Sequence, residues 1–173
     1  MPLLQLQRAM PTDIEPRNGS RMRRNEKEIQ SRSEINRVLE QAAVCRIAFN
    51  DDPFPYIVPL NFVFSGECLY FHSARAGRKM KLIRENAKVC FEVDNQIGLK
   101  TGQQACQWGT RYESVIGEGL AIDIVDLDEK RSALQKLMQK YSSQSEWDIP
   151  ADALHDVAIV RVDVQSIAGK QAF

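Results

Sequence analysis

Apolar positions along the chain alternate between a helical and an extended period. Ile35, Val38, Leu39 and Ala42 recur at i, i+3, i+4 and i+7, with Arg32, Arg37 and Glu40 on the other faces, which predicts an amphipathic helix over residues 26–43. Residues 44–49 then read as a strand, closed by the turn residues Asn50, Asp51, Asp52 and Pro53. The next apolar run, residues 56–64, carries Pro59, which cannot donate to a ladder, so the run is expected at an edge or bulged there. Ser65-Gly66 predicts a tight hairpin into a strand over residues 67–72. A short helix over 77–85 is expected to turn Met80, Leu82 and Ile83 inward, followed by a strand over 88–94. Residues 95–111 show no period and contain Gly98, Gly102 and Gly109, so they read as a long loop of functional or disordered character.

The strand pattern resumes over 113–125, where Gly117 and Gly119 mark a bulge or a close backbone approach. Leu134, Leu137, Met138 and Tyr141 form the stripe of a helix over 128–141. Residues 147–155 read as an irregular connector and 157–164 as a last strand. Six strands joined mostly by hairpins, with helices between some of them, predict an antiparallel sheet or barrel of the α+β class.

Composition narrows the function classes. The 173 residues carry 23 Lys+Arg against 23 Asp+Glu, so no field of one sign is available to hold nucleic acid or an anionic membrane. The balance is uneven along the chain. Up to Asn25 there are five basic residues and two acidic ones among Pro2, Pro11, Pro16 and Gly19, which predicts a flexible basic arm over 1–22 before a domain over 23–173. Leu3, Leu4 and Leu6 are followed at once by Gln7 and Arg8, too short an apolar run for a secretory signal or a membrane span, so a cytoplasmic location is expected. Cys45, Cys68, Cys90 and Cys106 form no paired motif and no histidine stands at zinc-ligand spacing, so no metal site is expected. Three of these cysteines sit inside apolar runs, where a free thiol behaves as a small core hydrophobe.

The segment from Phe71 to Lys79 is the most informative for chemistry. It places His72 and Ser73 at a strand end, then Gly77, then two cations, Arg78 and Lys79, at the opening of a helix. Cations there oppose the helix dipole, while the free N–H groups of a first turn favour an anion, so a bound phosphate would account for them. Two solvated cations that tolerate the cost are the plainer alternative. Pro59 frees backbone groups near it for a ligand edge. Trp108 and Tyr112, at the junction of the aperiodic stretch and the next strand, are candidate rim groups.

Five ordered blocks now carry a resemblance: V-P-L-N-F at 58–62, Y-F-H-S-A at 70–74, G-R-K at 77–79, V-C-F-E-V-D at 89–94 and S-V-I-G-x-G at 114–119. Together they resemble the pyridoxamine 5'-phosphate oxidase-related FMN-binding split barrels, and within them the nitroimidazole-resistance group. The resemblance spans about residues 23–170. It implies a six-stranded split barrel that forms a homodimer with FMN in grooves at the interface. Matched position by position, Arg78 and Lys79 would hold the FMN phosphate, with help from the Ser73 hydroxyl. Val58, Pro59, Leu60 and Asn61 would lie along the isoalloxazine, His72 would stand beside the flavin as the candidate catalytic group, and Ser114 would come from the other subunit. Tyr56 and Asn61 stand where the vitamin-processing oxidase has an Arg and a Lys, and the chain ends at Phe173 without that enzyme's C-terminal segment. These departures argue against pyridoxamine-phosphate oxidation.

The resemblance implies an FMN-dependent oxidoreductase acting on a small acceptor such as a nitroaromatic or a quinone, with His72 as proton donor. An alternative is a carrier or sensor of the same fold that binds flavin, deazaflavin or haem without turnover, His72 then serving as axial ligand. A third reading, a partner-binding module that uses the basic arm, has less support. His155 lacks such context and reads as a surface residue.

Overall fold

The run that carries Pro59 is broken after Leu60, and that break shapes the architecture. The computed structural model describes residues 15–16, 24–142, 144 and 146–173. The expected basic arm therefore lies outside the described residues, except for Glu15–Pro16 (β1), which pairs in parallel with Ser166 and Ile167. In chain order follow β2 (Glu28–Ile29), α1 (Arg32–Gln41), β3 (Cys45–Phe49), β4 (Tyr56–Leu60), β5 (Val63–Ser65), β6 (Cys68–Ala74) and α2 (Arg78–Glu85). Then come β7 (Lys88–Lys100), β8 (Gly109–Asp123), α3 (Leu127–Tyr141), α4 (Ala151–Asp156) and β9 (Val157–Ala172).

Among the described residues all strands join one sheet in the order β4-β3-β7-β8-β9-β6-β5, with β1 and β2 added on β9. Every pairing except that of β1 is antiparallel. β4 and β5 occupy opposite edges of this order, yet only Asn61 and Phe62 separate them in the chain. The sheet must therefore curl until its two edges meet, which makes it a split barrel and bears out the α+β expectation. Pro59 sits on an edge strand as expected, since β4 pairs with β3 alone. The expected count of six strands is too low, because residues 56–64 form two strands and β1 and β2 add short pairings.

Phe49, Phe62, Phe71, Phe91, Leu39 and Met80 are fully buried and fill the barrel. α1 adds Ile35 and Val38, and α2 adds Leu82 and Ile83, to the same core. α3 covers a different face, packing Ala133 against Ile124 and Ile159 with Tyr70 at the margin. α1 begins later than the expected residue 26. Ile29, 2% exposed, is drawn into β2 opposite Gly169, where even a Cβ would come within 2.9 Å of its own Cβ. Residues 95–111 also differ from expectation. β7 continues to Lys100 and β8 starts at Gly109, so the stretch is mostly a hairpin arm with a register shift between Gln96 and Gly98. The irregular connector expected over 147–155 contains α4.

Gly117 and Gly119 are close approaches. A Cβ on Gly117 would lie 2.2 Å from the Phe91 ring, and one on Gly119 would lie 2.5 Å from the Asp163 carbonyl oxygen, beside the register shift at Glu118/Gly119. Gly119→Ala is expected to cost about 2 kcal/mol, because a backbone oxygen in a central ladder cannot yield as a side chain can. Gly109→Ala, where a Cβ would meet nothing within 4 Å, is expected to be nearly neutral. Urea unfolding of the two variants checks both outcomes, and equal midpoints would refute the argument.

Candidate functional site

α2 opens where β3, β4 and β6 come together. Its N-cap is Gly77 at φ 115°, a conformation that favours glycine, and no side chain caps the helix. The first intrahelical bond runs from the Lys81 N–H to the Gly77 carbonyl at 3.1 Å, so the N–H groups before Lys81 are left without helical acceptors. Both cations of the first turn stand on aromatic rings. The Arg78 guanidinium lies 4.5 Å from the centre of the Tyr56 ring, and the Lys79 Nζ lies 5.3 Å from that of Phe71. Burial lowers the Lys79 pKa from its ordinary value.

Arg78 also holds an internal counter-ion. Its Nε donates to Asp51 Oδ2 at 2.6 Å, and its Nη2 lies 2.5 Å from the same oxygen. That hydrogen bond holds the Asp51 carboxyl below its usual range, so Asp51 is ionised throughout the neutral region. One edge of the guanidinium is thus bound to Asp51 and one face to Tyr56. Nη1 is not engaged in that pair and is available to an anion, in the fork geometry that suits phosphate. In the sequence Asp51 stands only as part of a turn, and no spacing rule links it to a residue 27 positions later. Neither its place at the start of the 56–64 run nor its departure from the oxidase pattern points to Tyr56 as the ring beneath Arg78.

The other candidates fall into separate places. Tyr56, Val58 and Leu60 pack against the barrel core, whereas Ile57 and Pro59 face outward. Ile57 is 60% exposed. Asn61 follows β4 and is exposed. Ser73 is buried on the face of β6 that carries Leu69 and Phe71, the ring over which Lys79 stands. His72 is exposed on the opposite face, paired with Ile159 beneath α3. Ser114 pairs with Asp94 and lies on the outer face of the sheet, since its neighbour Val115 is in the core. One chain therefore brings Ser73, Arg78 and Lys79 together with the Tyr56 end of β4, but neither His72 nor Ser114.

Trp108 sits at the tip of the hairpin arm, where its Nε1 donates to the Gly102 carbonyl at 2.8 Å. Tyr112 is half-buried at the base of the arm. Cys45 and Cys68 are buried, and burial pushes their thiols up to about 12 and about 11, so neither is a nucleophile at neutral pH. Among the described residues there is no group of three or more potential metal ligands, and no helix is long and apolar enough to cross a membrane.

The profile of the pyridoxamine 5'-phosphate oxidase family matches residues 31–171, and the chain belongs to that family. Among solved structures it is similar to a candidate 5-nitroimidazole antibiotic resistance protein from Bacteroides thetaiotaomicron, at 30% identity over 83% of this chain and 85% of that one, with a TM-score of 0.74. It is also similar to a FAD-binding protein from Mesorhizobium loti, at 25% identity, 83% and 96% coverage and a TM-score of 0.60. A FAD and haem binding protein from Mycobacterium smegmatis shares the fold at 18% identity, covering 84% and 73% of the two chains, with a TM-score of 0.77. No curated protein sequence matches the chain significantly.

Neutralising Asp51 removes the charge that competes for Arg78. Asp51→Asn is therefore expected to tighten the binding of inorganic phosphate severalfold at pH 7, measured by calorimetry on the flavin-free protein. Unchanged or weaker binding would show that Asp51 does not compete with an anion there.

Proposed function

We propose that the chain is an FMN-binding flavoprotein that reduces a small electrophilic acceptor, a nitroaromatic or a quinone. The observation that carries the reading is the uncapped start of α2, where Arg78 and Lys79 stand on aromatic rings beside the free edge of β4. The residues present fit a phosphate monoester: free N–H groups, an unengaged guanidinium edge and the buried Ser73 hydroxyl. Family membership and the flavin-binding neighbours support a flavin as the rest of the ligand, and the Bacteroides protein supports the acceptor class.

In this reading Arg78, Lys79 and Ser73 bind the phosphate. Val58 to Asn61 orient the ring, with backbone groups at the unpaired edge of β4 as hydrogen-bonding partners. The flavin supplies the hydride or electron transfer. His72 donates a proton to the reduced acceptor oxygen. The chain acts as a homodimer, supported by apolar side chains exposed on the outer sheet face and the arm: Ile57, Ile97, Leu99, Trp108 and Ile116. A second reading, haem held by the exposed His72, draws support from the FAD and haem binding neighbour.

The test is spectroscopic. The protein incubated with FMN is expected to retain a flavin absorbance band after desalting, and Arg78→Ala to weaken FMN by tenfold or more, as losing a charge-assisted hydrogen bond does. Riboflavin, which lacks the phosphate, is expected to bind both proteins equally. His72→Ala is expected to keep FMN but lose about a hundredfold in nitro-compound reduction driven by NAD(P)H. Retention of haem in place of flavin would favour the second reading, and retention of neither would refute both.

A further inference from the structure

Away from α2, a pocket of about 330 Å³ lies between the C-terminal half of α3, the end of α1 and the outer edge strand β5. Its charged lining is unbalanced, with Lys136 and Lys140 from α3 against Glu40 from α1. Val63 supplies an apolar wall, and Ser65 and Gln139 supply polar groups. Among the described residues β5 pairs only with β6 and is an edge strand.

Lys140 is half-buried, and its surroundings are unusual for a lysine. Its Nζ sits 3.6 Å from the centre of the fully buried Phe62 ring and donates to the Leu39 carbonyl at 3.3 Å. No carboxylate lies at ion-pair distance from it among the described residues. Lys136 stands over the Tyr70 ring at 5.9 Å, likewise without an acidic partner at that distance. Two ammonium groups are thus held in place by uncharged partners at the wall of an open pocket. A buried cation without a counter-ion is costly, and an anion that enters the pocket recovers that cost.

We propose that this pocket is a second ligand site, taking a small monocarboxylate whose headgroup lies between Lys136 and Lys140 and whose short apolar stem rests on Val63. Two cations against one acid leave a surplus of one positive charge, which a monoanion neutralises. The volume stands at the lower end of small-molecule sites, which fits a few-carbon acid. The site is separate from the start of α2 and does not depend on the flavin reading.

Binding is linked to protonation. Burial brings the Lys140 pKa down to about 8, while Glu40 from α1 acts to raise it; the Cys45 thiol of β3, pushed up to about 12 by its own burial, stays uncharged over this range. Lys136 and Tyr141 of α3 also flank it, and burial keeps the Tyr141 hydroxyl protonated. A carboxylate selects the charged amine, so affinity falls as pH rises through about 8 and the complex takes up a proton there.

Butyrate is the probe, with butyramide as its uncharged counterpart, titrated calorimetrically into the full chain. Saturable binding of butyrate and none of butyramide is expected, with affinity about tenfold lower at pH 9 than at pH 7. Lys140→Met is expected to abolish binding. Lys140→Arg, which keeps the charge, is expected to bind butyrate with no loss between pH 7 and pH 9, and this variant carries the test if the methionine protein does not fold. No saturable butyrate binding, equal binding of butyramide, binding unchanged in Lys140→Met, or a persistent pH dependence in Lys140→Arg would each overturn the assignment.

Discussion

The Tyr141 hydroxyl holds the corner on which the barrel depends. It donates to the Ala43 carbonyl at 2.8 Å, accepts the Phe62 N–H at 2.9 Å and lies 3.0 Å from the Phe62 carbonyl. At that corner the chain leaves one edge of the sheet and enters the other, so both backbone groups of Phe62 lie outside any ladder and need another partner. One phenol at the end of α3 accepts the Phe62 N–H, and its single proton, shared between the Ala43 and Phe62 carbonyls, ties α3 to the end of α1 as well. The Phe62 side chain then drops into the core. With the corner in place, β4 is an edge strand, Pro59 does no harm, and Tyr56 at the far end of β4 is presented to Arg78.

Charge on this protein is arranged locally, and equal totals of acid and base conceal the arrangement. Glu113, 4% exposed, is held by Arg37 of α1 through both carboxylate oxygens. On the outer sheet face Arg46 bridges Glu92 at 3.1 Å and Asp94 at 2.6 Å. Arg161 joins Glu129 to Asp163 beneath α3, each at 2.6 Å. In these sites an arginine and its acids satisfy one another. Lys79 and Lys140 are different, because each rests on an aromatic ring rather than on a carboxylate. Burial lowers both pKa values, the direction expected of ammonium groups that have lost water without gaining an anion.

Much of the barrel was legible because its signals are local. The inward Met80, Leu82 and Ile83 of α2 and the glycine approaches at 117 and 119 need only a few neighbouring residues to be recognised, and each stands where expected. α3 forms as expected but turns Lys130, Ala133 and Leu137 inward, so that of its expected stripe only Leu137 is buried. What was not legible depends on partners far away in the chain. Ile29 leaves the helical pattern because Gly169 makes room for it. Residues 95–100 and 109–111 lack alternation because they pair mainly with each other, as an arm that has no core to face and so no reason to alternate. The cations at 78 and 79 were visible as an anomaly at a helix start, whereas Asp51 could be found only in three dimensions.

Strand geometry places a firm condition on any flavin site in this family member. Successive side chains of a strand point to opposite faces, so His72 and Ser73 cannot both direct their side chains at one ligand from the same strand. Ser73 lies on the barrel face with Phe71, the ring under Lys79, and His72 lies on the other face opposite Ile159. Ser114 is farther still, on β8, with β3 and β7 between it and β4. If Arg78, Ser73, His72 and Ser114 all serve one flavin, at least one of them must come from a second copy of the chain or contribute its backbone rather than its side chain. The exposed apolar residues of the outer face and the arm are where such a copy would pack, so the oligomeric state and the cofactor site form a single question. A chain that held flavin tightly as a monomer would leave Ser114, and the side chain of His72, outside the site.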